Sequence, residues 1–401
     1  MPVHRSETFV MRHHFPDIVT QQLPHATWRT DGDVIHMQSQ VWQGQPWNHA
    51  IRVVKPSWTS AAHVCYLEVT GTDAGTPDAE YARALAEASG ATVAFLFDIP
   101  NQPLWNMTED DLIAHTFEEY IASGDPEWPL LVPMVRSVIA AIDTLVEWSV
   151  GRFTTFVVGG ASKRGWTSWL TATLQDNRVK GIVPLVFDNL NMNVQMRRQQ
   201  ELWGEHSPMI QDYTRRRLTE LAQEPSGEGL VSLVDPFTNI GEIRCPVLTV
   251  NGSNDPYWAV DALKHYYQRL PAGSACQVVP NMGHSIGEWD YRLSTVGAFI
   301  RRCAGAEMFP RVRFDWGQSS AHLEIQAESD LRPTKFRVWG AVSENNWFAE
   351  SEFFVDILPG PEVRVPARGN YSQAIFMELE YAGEHGPIRV TSPALILPRT
   401  E

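Results

Sequence analysis

The stretch VVGGASKRGWTSWL, residues 157–170, decides how the fold of this chain is interpreted. A β-branched apolar run ends at two glycines, Ser162 follows, and the next residues are typical of a helix. Enzymes that attack their substrates with a serine often carry it at such a strand-to-helix corner, with the pattern G-x-S-x-G. Here the second residue after the serine is Arg164, and the glycine comes one step later as Gly165. Ser162 is therefore either a nucleophile on a modified corner or an ordinary helix cap.

Strand-like and helical runs alternate on both sides of this corner. Strands that are almost continuously apolar and separated by helices are typical of a mainly parallel sheet with helices on both faces. Residues 34–56 contain two strand-like runs around a glycine turn, which predicts an antiparallel hairpin that leads into this sheet. The sequence therefore predicts an α/β fold. Its buried strands are expected at residues 62–71, 91–100, 153–160, 179–188, 245–252 and 275–281.

Two further segments interrupt or follow the alternation. Residues 188–244 are too long for a simple crossover between strands and are helix-prone in parts, so we predict a helical cap inserted at about residues 189–243. After residue 308 the apolar residues alternate with period 2 between turn signals, which predicts a small all-β sandwich. A chain of 401 residues favours two domains. We predict an α/β core at residues 1–307 and a sandwich at residues 308–401.

Composition and charge limit the kinds of partner, location and cofactor that we expect for this protein. A net charge of −15 weighs against binding to nucleic acid or to an anionic membrane surface. No apolar run approaches the roughly 20 residues that span a bilayer, and no secretory signal is visible, so we expect a cytoplasmic protein unless Met1 replaces a removed signal. The four cysteines form no C-x-x-C pair, and we predict no metal and no cofactor. The expected partner is a small-molecule or peptide substrate, and the oligomeric state stays open.

Three residues follow three different predicted strands in the order that serine catalysis requires. Ser162 comes after the strand at 153–160, Asp255 lies in VNGSNDPYW, and His284 lies in VPNMGHS. In parallel-sheet hydrolases the nucleophile, the acid and the histidine occur in this order at the same sheet edge. Each residue alone has an ordinary explanation as a cap, a turn or a loop residue, but the combination predicts a triad. Asp188, at the end of the fourth buried strand, is the alternative acid.

The predicted oxyanion donors are backbone N–H groups beside the serine. One is that of Lys163, at the start of the helix, where the helix dipole also favours negative charge. The other belongs to the loop after the strand that ends at Gly71, and is that of Gly71 or Thr72. Arg164 either leans toward the cleft, where it would meet a substrate anion or another acceptor, or forms a structural salt bridge.

Five further residues are candidates for substrate binding. Asn101 and Gln102 in DIPNQPLW follow a strand end at the same edge, where they either line the pocket or satisfy the backbone of a proline-framed turn. Asp188, if it is not the acid, would hold the cap over the substrate. Trp203 in the cap and Trp258 after Asp255 flank the predicted cleft, and we expect them to line it.

Several motifs together resemble one known family. GGASKRGW, DIPNQPL, FDNLNM, GSNDPYW and GHS are similar to the PhoPQ-activated pathogenicity-related family, over most of the chain. The corner alone is also similar to that of glucuronoyl esterases. The family resemblance implies an α/β-hydrolase core with Ser162, Asp255 and His284 at the triad positions, but it implies no substrate. We therefore expect a serine hydrolase that cleaves an ester or amide through an acyl-enzyme, or alternatively a catalytically silent binding or signalling protein on the same scaffold.

Overall fold

The computed structural model describes residues 13–23, 25–71, 79–285, 287 and 289–399. Within them, nine strands form one sheet in the order β1-β2-β3-β5-β4-β6-β7-β8-β9. Strands β4 to β9 pair in parallel, whereas β1, β2 and β3 pair antiparallel and β3 joins β5 antiparallel. The mainly parallel sheet and its leading hairpin are thus confirmed. The strands are β1 (Thr27–Asp31), β2 (Val34–Trp42), β3 (Gln45–Val54), β4 (Val64–Val69), β5 (Thr92–Leu96), β6 (Thr155–Ala161), β7 (Val179–Leu185), β8 (Leu248–Gly252) and β9 (Ala275–Val279).

Helices cover both faces of the sheet, and β4 shows why its sequence is almost entirely apolar. Cys65 and Leu67 point into the apolar core shared with α4 and α5, whereas Val64 and Tyr66 point into the core shared with α2 and α10. Successive strand residues alternate between faces, so a strand buried on both sides is mostly apolar. The exception in β4 is Glu68, which is buried and accepts the Tyr66 hydroxyl at 2.6 Å. The helices are α1 (Phe15–Gln21), α2 (Ala79–Ser89), α3 (Glu109–Ser123), α4 (Leu131–Trp148), α5 (Lys163–Thr173), α6 (Met192–Trp203), α7 (Gln211–Thr214), α8 (Leu218–Leu221), α9 (Glu228–Val234) and α10 (Asp290–Cys303).

The predicted helical insertion is present between β7 and β8. It consists of α6 to α9 with short 3-10 segments at Pro208–Ile210, Pro225–Gly227 and Pro236–Glu242. This cap contacts α3, a helix that the sequence analysis did not predict. After β8, two short 3-10 turns follow at Ala262–His265 and Tyr267–Arg269.

The C-terminal part forms separate antiparallel sheets. One contains β10 (Val312–Gln318), β11 (His322–Ser329) and β14 (Glu362–Pro366). The other contains β12 (Lys335–Ser343), β13 (Phe354–Leu358), β15 (Ser372–Tyr381), β16 (Ile388–Thr391) and β17 (Leu395–Leu397). The second sheet packs beside β9, where the N–H of Val278 donates to Thr391 Oγ1 at 2.9 Å. The all-β character is confirmed, and the domain boundary at residue 308 stays a prediction. No helix in the described ranges has the length and apolarity needed to cross a bilayer.

Candidate active site

The corner between β6 and α5 holds Ser162 in an unusual backbone conformation. Its φ is 57° and its ψ is −125°, a region that residues with a side chain rarely adopt. Small neighbours make this sharp turn feasible. A Cβ on Gly160 would lie 2.8 Å from the Cβ of Arg164, and a Cβ on Gly165 would lie 3.0 Å from the carbonyl oxygens of Gly160 and Leu185. Gly165 therefore provides the close helix-to-strand contact one residue later than the common motif does.

The three predicted triad residues converge at the carboxyl ends of β6, β8 and β9. His284 Nε2 lies 2.8 Å from Ser162 Oγ, and His284 Nδ1 lies 2.8 Å from Asp255 Oδ2. The other carboxylate oxygen of Asp255 accepts the N–H of Tyr257 at 2.9 Å. The Tyr257 ring stacks on the imidazole with centroids 3.9 Å apart. This arrangement lets the imidazole accept the serine proton while the carboxylate fixes its tautomer and orientation.

Asp188 does not occupy the acid position. It is buried after the end of β7, and its Oδ1 accepts the Tyr266 hydroxyl at 2.7 Å. Burial raises the pKa of Asp188 to about 7, and the charges of Asp255 and Asp261 act in the same direction. Asp188 and Asp255 both border a small cavity. Asp255 rather than Asp188 therefore bonds the histidine. A second, large cavity lies beside Ser162, and Asp188 does not line it.

Two of the three residues predicted to supply oxyanion donors, Lys163 and Gly71, lie within the described residues. Lys163 is the first residue of α5, and the first N–H groups of a helix have no acceptor within the helix. Gly71 packs directly against Arg164, since a Cβ at this glycine would lie 1.6 Å from the guanidinium Nη2. Thr72 lies outside the described residues. The second donor therefore stays a prediction.

Arg164 forms the structural salt bridge that was one of its two expected roles. Its Nη1 and Nη2 donate to the two carboxylate oxygens of Glu109 at 2.8 and 2.7 Å, and its Nε donates to the Ile99 carbonyl at 2.6 Å. The side chain is buried and does not line the large cavity, so the substrate-anion alternative is wrong for this conformation. Its three donor groups are all engaged by α3 and the 99–103 loop.

Glu109 and Asp110, at the start of α3, connect this helix to the corner. Lys163 Nζ lies 2.7 Å from Glu109 Oε2 and 3.2 Å from Asp110 Oδ2. Although burial opposes it, the hydrogen bonds and charges of Arg164 and Lys163 hold the pKa of Glu109 well below its usual range. Sequence reasoning missed these carboxylates because it missed α3. The run TEDD at 108–111 was the available signal, since a threonine followed by acidic residues is typical of a helix start.

Asn101 and Gln102 satisfy loop and helix backbone. Asn101 Oδ1 accepts the N–H of Asn48 at 3.0 Å. Gln102 Oε1 accepts the N–H of Glu109 at 2.8 Å, and its amide group donates back to the Glu109 carboxylate. Neither residue lines the large cavity, so of their two expected roles the structure shows the binding of backbone groups and not the lining of the pocket. Their side-chain oxygens are therefore occupied by backbone N–H groups of β3 and of the start of α3.

A cavity that is partly open to solvent lies beside Ser162. Trp258 lines it, as the sequence analysis expected, together with Trp166 of α5 and Phe117 of α3. Trp203 does not, which corrects the earlier expectation. It ends α6 and faces the C-terminal sheets, where its Nε1 donates to the Asn346 carbonyl at 3.0 Å. The cap supplies much of the apolar wall, including Met192, Met196, Ile210, Leu218, Leu230 and Val234.

The loops that carry Asp255 and His284 are anchored on the C-terminal sheets. Asn254 Nδ2 donates to the carbonyls of Phe348 at 3.0 Å and Ser351 at 2.6 Å. Asn281 donates to the Phe353 carbonyl at 3.0 Å and accepts the Phe353 N–H at 2.7 Å. One segment, residues 348–353, therefore fixes both loops.

Comparison with known proteins agrees with the architecture. A solved acetyl xylan esterase from Paenibacillus sp. R4 superposes with a TM-score of 0.50 at 16% identity, covering 73% of this chain and 92% of that one. Acetyl xylan esterase 1 from Thermoanaerobacterium sp. JW/SL YS485 gives the same TM-score and identity, covering 73% and 98% of the two chains. At this identity the likeness concerns the α/β-hydrolase fold.

Sequence comparison reaches further along the chain. The autocrine proliferation repressor protein A of Dictyostelium discoideum is 29% identical over 345 residues, which is 78% of this chain and 69% of the relative. A sequence model described as PhoPQ-activated pathogenicity-related protein matches residues 14–348, more than half of the chain. This match places the chain in the PhoPQ-activated pathogenicity-related protein family.

Proposed function

We propose that this protein is a serine hydrolase that cleaves an ester or amide bond through an acyl-enzyme. One observation carries the proposal. The hydroxyl of Ser162, the imidazole of His284 and the carboxylate of Asp255 form a continuous hydrogen-bonded relay with both links at 2.8 Å. The relay stands beside a cavity large enough for a substrate, and its serine has the backbone conformation of a nucleophile at a sharp corner.

The chemistry follows from these positions. Ser162 Oγ attacks the carbonyl carbon while His284 Nε2 takes the hydroxyl proton, and the N–H of Lys163 donates to the negative oxygen of the tetrahedral intermediate. The intermediate collapses as His284 returns the proton to the leaving alcohol or amine. A water molecule, deprotonated by the same imidazole, then attacks the acyl-enzyme and releases the acid. Asp255 stabilises the imidazolium in both halves of the reaction.

The comparisons favour two different readings. Two solved structures with this fold are named acetyl xylan esterases, which fits ester hydrolysis. The relative from Dictyostelium discoideum is named a proliferation repressor, which fits a catalytically silent signalling protein. The intact relay favours the enzyme, because a binding protein has no need for a strained serine held against a histidine.

A covalent probe separates these readings. Purified protein is treated with a fluorophosphonate and its intact mass is measured, beside Ser162→Ala and the control Ser226→Ala, whose serine is exposed on the cap. We expect one adduct on the wild type and on Ser226→Ala, and none on Ser162→Ala. An unlabelled but folded wild type would favour the signalling protein. A panel of nitrophenyl esters and aminoacyl anilides then decides between ester and amide substrates.

A further inference from the structure

We propose that the acyl group of the substrate is uncharged, apolar and much larger than acetyl. This inference rests on the proposed function, since it assigns the cavity beside Ser162 to the acyl portion of the substrate. It is carried by three features of that cavity: the pairing of its polar groups, its size, and its position relative to His284.

The polar groups around the cavity are largely engaged by the protein itself. Lys163 is paired with Glu109 and Asp110, and the hydroxyl of Tyr213 donates to Asp110 at 3.0 Å. The indole N–H of Trp166 donates to the Val234 carbonyl at 2.7 Å.

Asn189 is an exception, because its Oδ1 is buried and has no hydrogen-bond partner among the described residues. Its amide carries no charge, and most of the cavity surface is apolar. A charged acyl group would therefore lose its hydration without gaining a counter-charge, and such burial is costly.

The cavity is too large for a small acyl group. Its apolar lining extends from Trp166 of α5, beside Ser162, to Leu230 of α9 in the cap, and pockets lined in this way hold whole small molecules. An acetyl group would leave most of the apolar wall in contact with water, including Leu218, Leu230 and Val231 of the cap. A longer aliphatic or an aromatic acyl group would cover this wall, which is favourable in proportion to the apolar area removed from water.

Stereochemistry assigns the cavity to the acyl side. The leaving atom must come within hydrogen-bond reach of His284 Nε2, because this nitrogen returns the proton to it. Among the described residues, Ser162 and Lys163 line the cavity whereas His284 does not. The leaving group therefore lies on the imidazole side, and the acyl group extends away from it, past Lys163, toward the cap.

The size of the effect follows from hydrophobic transfer. Each methylene that becomes buried in such a pocket should raise kcat/KM by about fourfold until the cavity is filled. The wild type should therefore hydrolyse nitrophenyl octanoate with a kcat/KM at least about tenfold above that for the acetate, even if only part of the chain is buried.

The test uses nitrophenyl esters from acetate to decanoate, and the hemisuccinate as a charged acyl group. Ala222→Trp places an indole on a residue that lines the cavity, and Ser226→Trp places the same group on the exposed outside of the cap. We expect kcat/KM to rise with chain length in the wild type and in Ser226→Trp. We expect the ratio of octanoate to acetate to fall at least tenfold in Ala222→Trp.

The outcomes distinguish this inference from the function on which it rests. An enzyme that reacts with fluorophosphonate but prefers acetate or the hemisuccinate would overturn the inference alone. An equal octanoate-to-acetate ratio in the two tryptophan variants would do the same. A folded protein that neither reacts with the probe nor hydrolyses any ester would refute the proposed function and the inference together.

Discussion

Replacing Arg164 by lysine tests whether the arginine after the nucleophile is what holds the modified corner in place. The arginine joins α5 to α3 through Glu109. It also joins α5 to the loop between β5 and α3 through the Ile99 carbonyl. A lysine keeps the positive charge but presents one ammonium instead of a planar fork, so it can satisfy at most part of these acceptors. The substitution therefore separates the effect of the positive charge from the effect of the planar hydrogen-bonding group.

The magnitude can be worked from the three hydrogen bonds. Lysine retains one contact with Glu109, so two bonds that involve a charged group are lost, each worth about 1.5–3 kcal/mol when buried. Solvent screens part of this loss, because the Glu109 side chain is 41% exposed, and Lys163 remains as its partner. We expect Arg164→Lys to lower the free energy of unfolding by about 2–4 kcal/mol. Displacement of Ser162 should also lower kcat at least about tenfold.

The assay is urea unfolding followed by tryptophan fluorescence, with Arg215→Lys as the matched control. Arg215 also pairs with a carboxylate of α3, Asp111, but its side chain is 54% exposed. For such an exposed pair we expect a loss below about 1 kcal/mol. If both variants lose the same stability, or if Arg164→Lys loses less than about 1 kcal/mol, the corner does not depend on this buried fork.

Four further substitutions test other parts of the site. Asp255→Asn should lower kcat about a thousandfold or more in ester hydrolysis, because the amide stabilises the wrong imidazole tautomer; a loss below about tenfold would exclude Asp255 as the acid. Gly71→Ala should lower both Tm and kcat, since its Cβ would lie 1.6 Å from Arg164 Nη2, and an unchanged Tm would contradict this packing. Burial raises the pKa of Asp188 from 3.8 to about 7, so the folded state keeps a proton that the unfolded state releases, and wild-type stability should fall as pH rises from about 4 to 7. Asp188→Asn should remove this loss, which is on the order of 4 kcal/mol, in urea unfolding at pH 4 and pH 8; parallel pH profiles of the two proteins would refute it. Asn254→Asp turns a carboxylate toward the carbonyls of residues 348–351 and should lower kcat with little change in KM, whereas equal effects on both would indicate a purely structural role.

The sequence was most informative where one physical requirement acts on neighbouring residues. Strands buried on both faces must be mostly apolar, so β4 and β6 were recognisable from their composition. Serine catalysis on a parallel sheet requires its residues after different strands, so Ser162, Asp255 and His284 could be placed at one edge. At the corner itself, Gly160 and Gly165 make the close contacts that the turn requires.

Tertiary structure decided which partner each polar side chain takes. Arg164 had two reasonable roles in the sequence, and the choice depended on Glu109, which lies 55 residues away on a helix that was not predicted. Trp203 was expected at the cleft, but it faces Asn346 in the C-terminal sheets. Local sequence fixes periodicity and turn chemistry, because these depend on neighbouring residues. Ion pairs and cavity walls join distant segments, and therefore only the folded chain determines them.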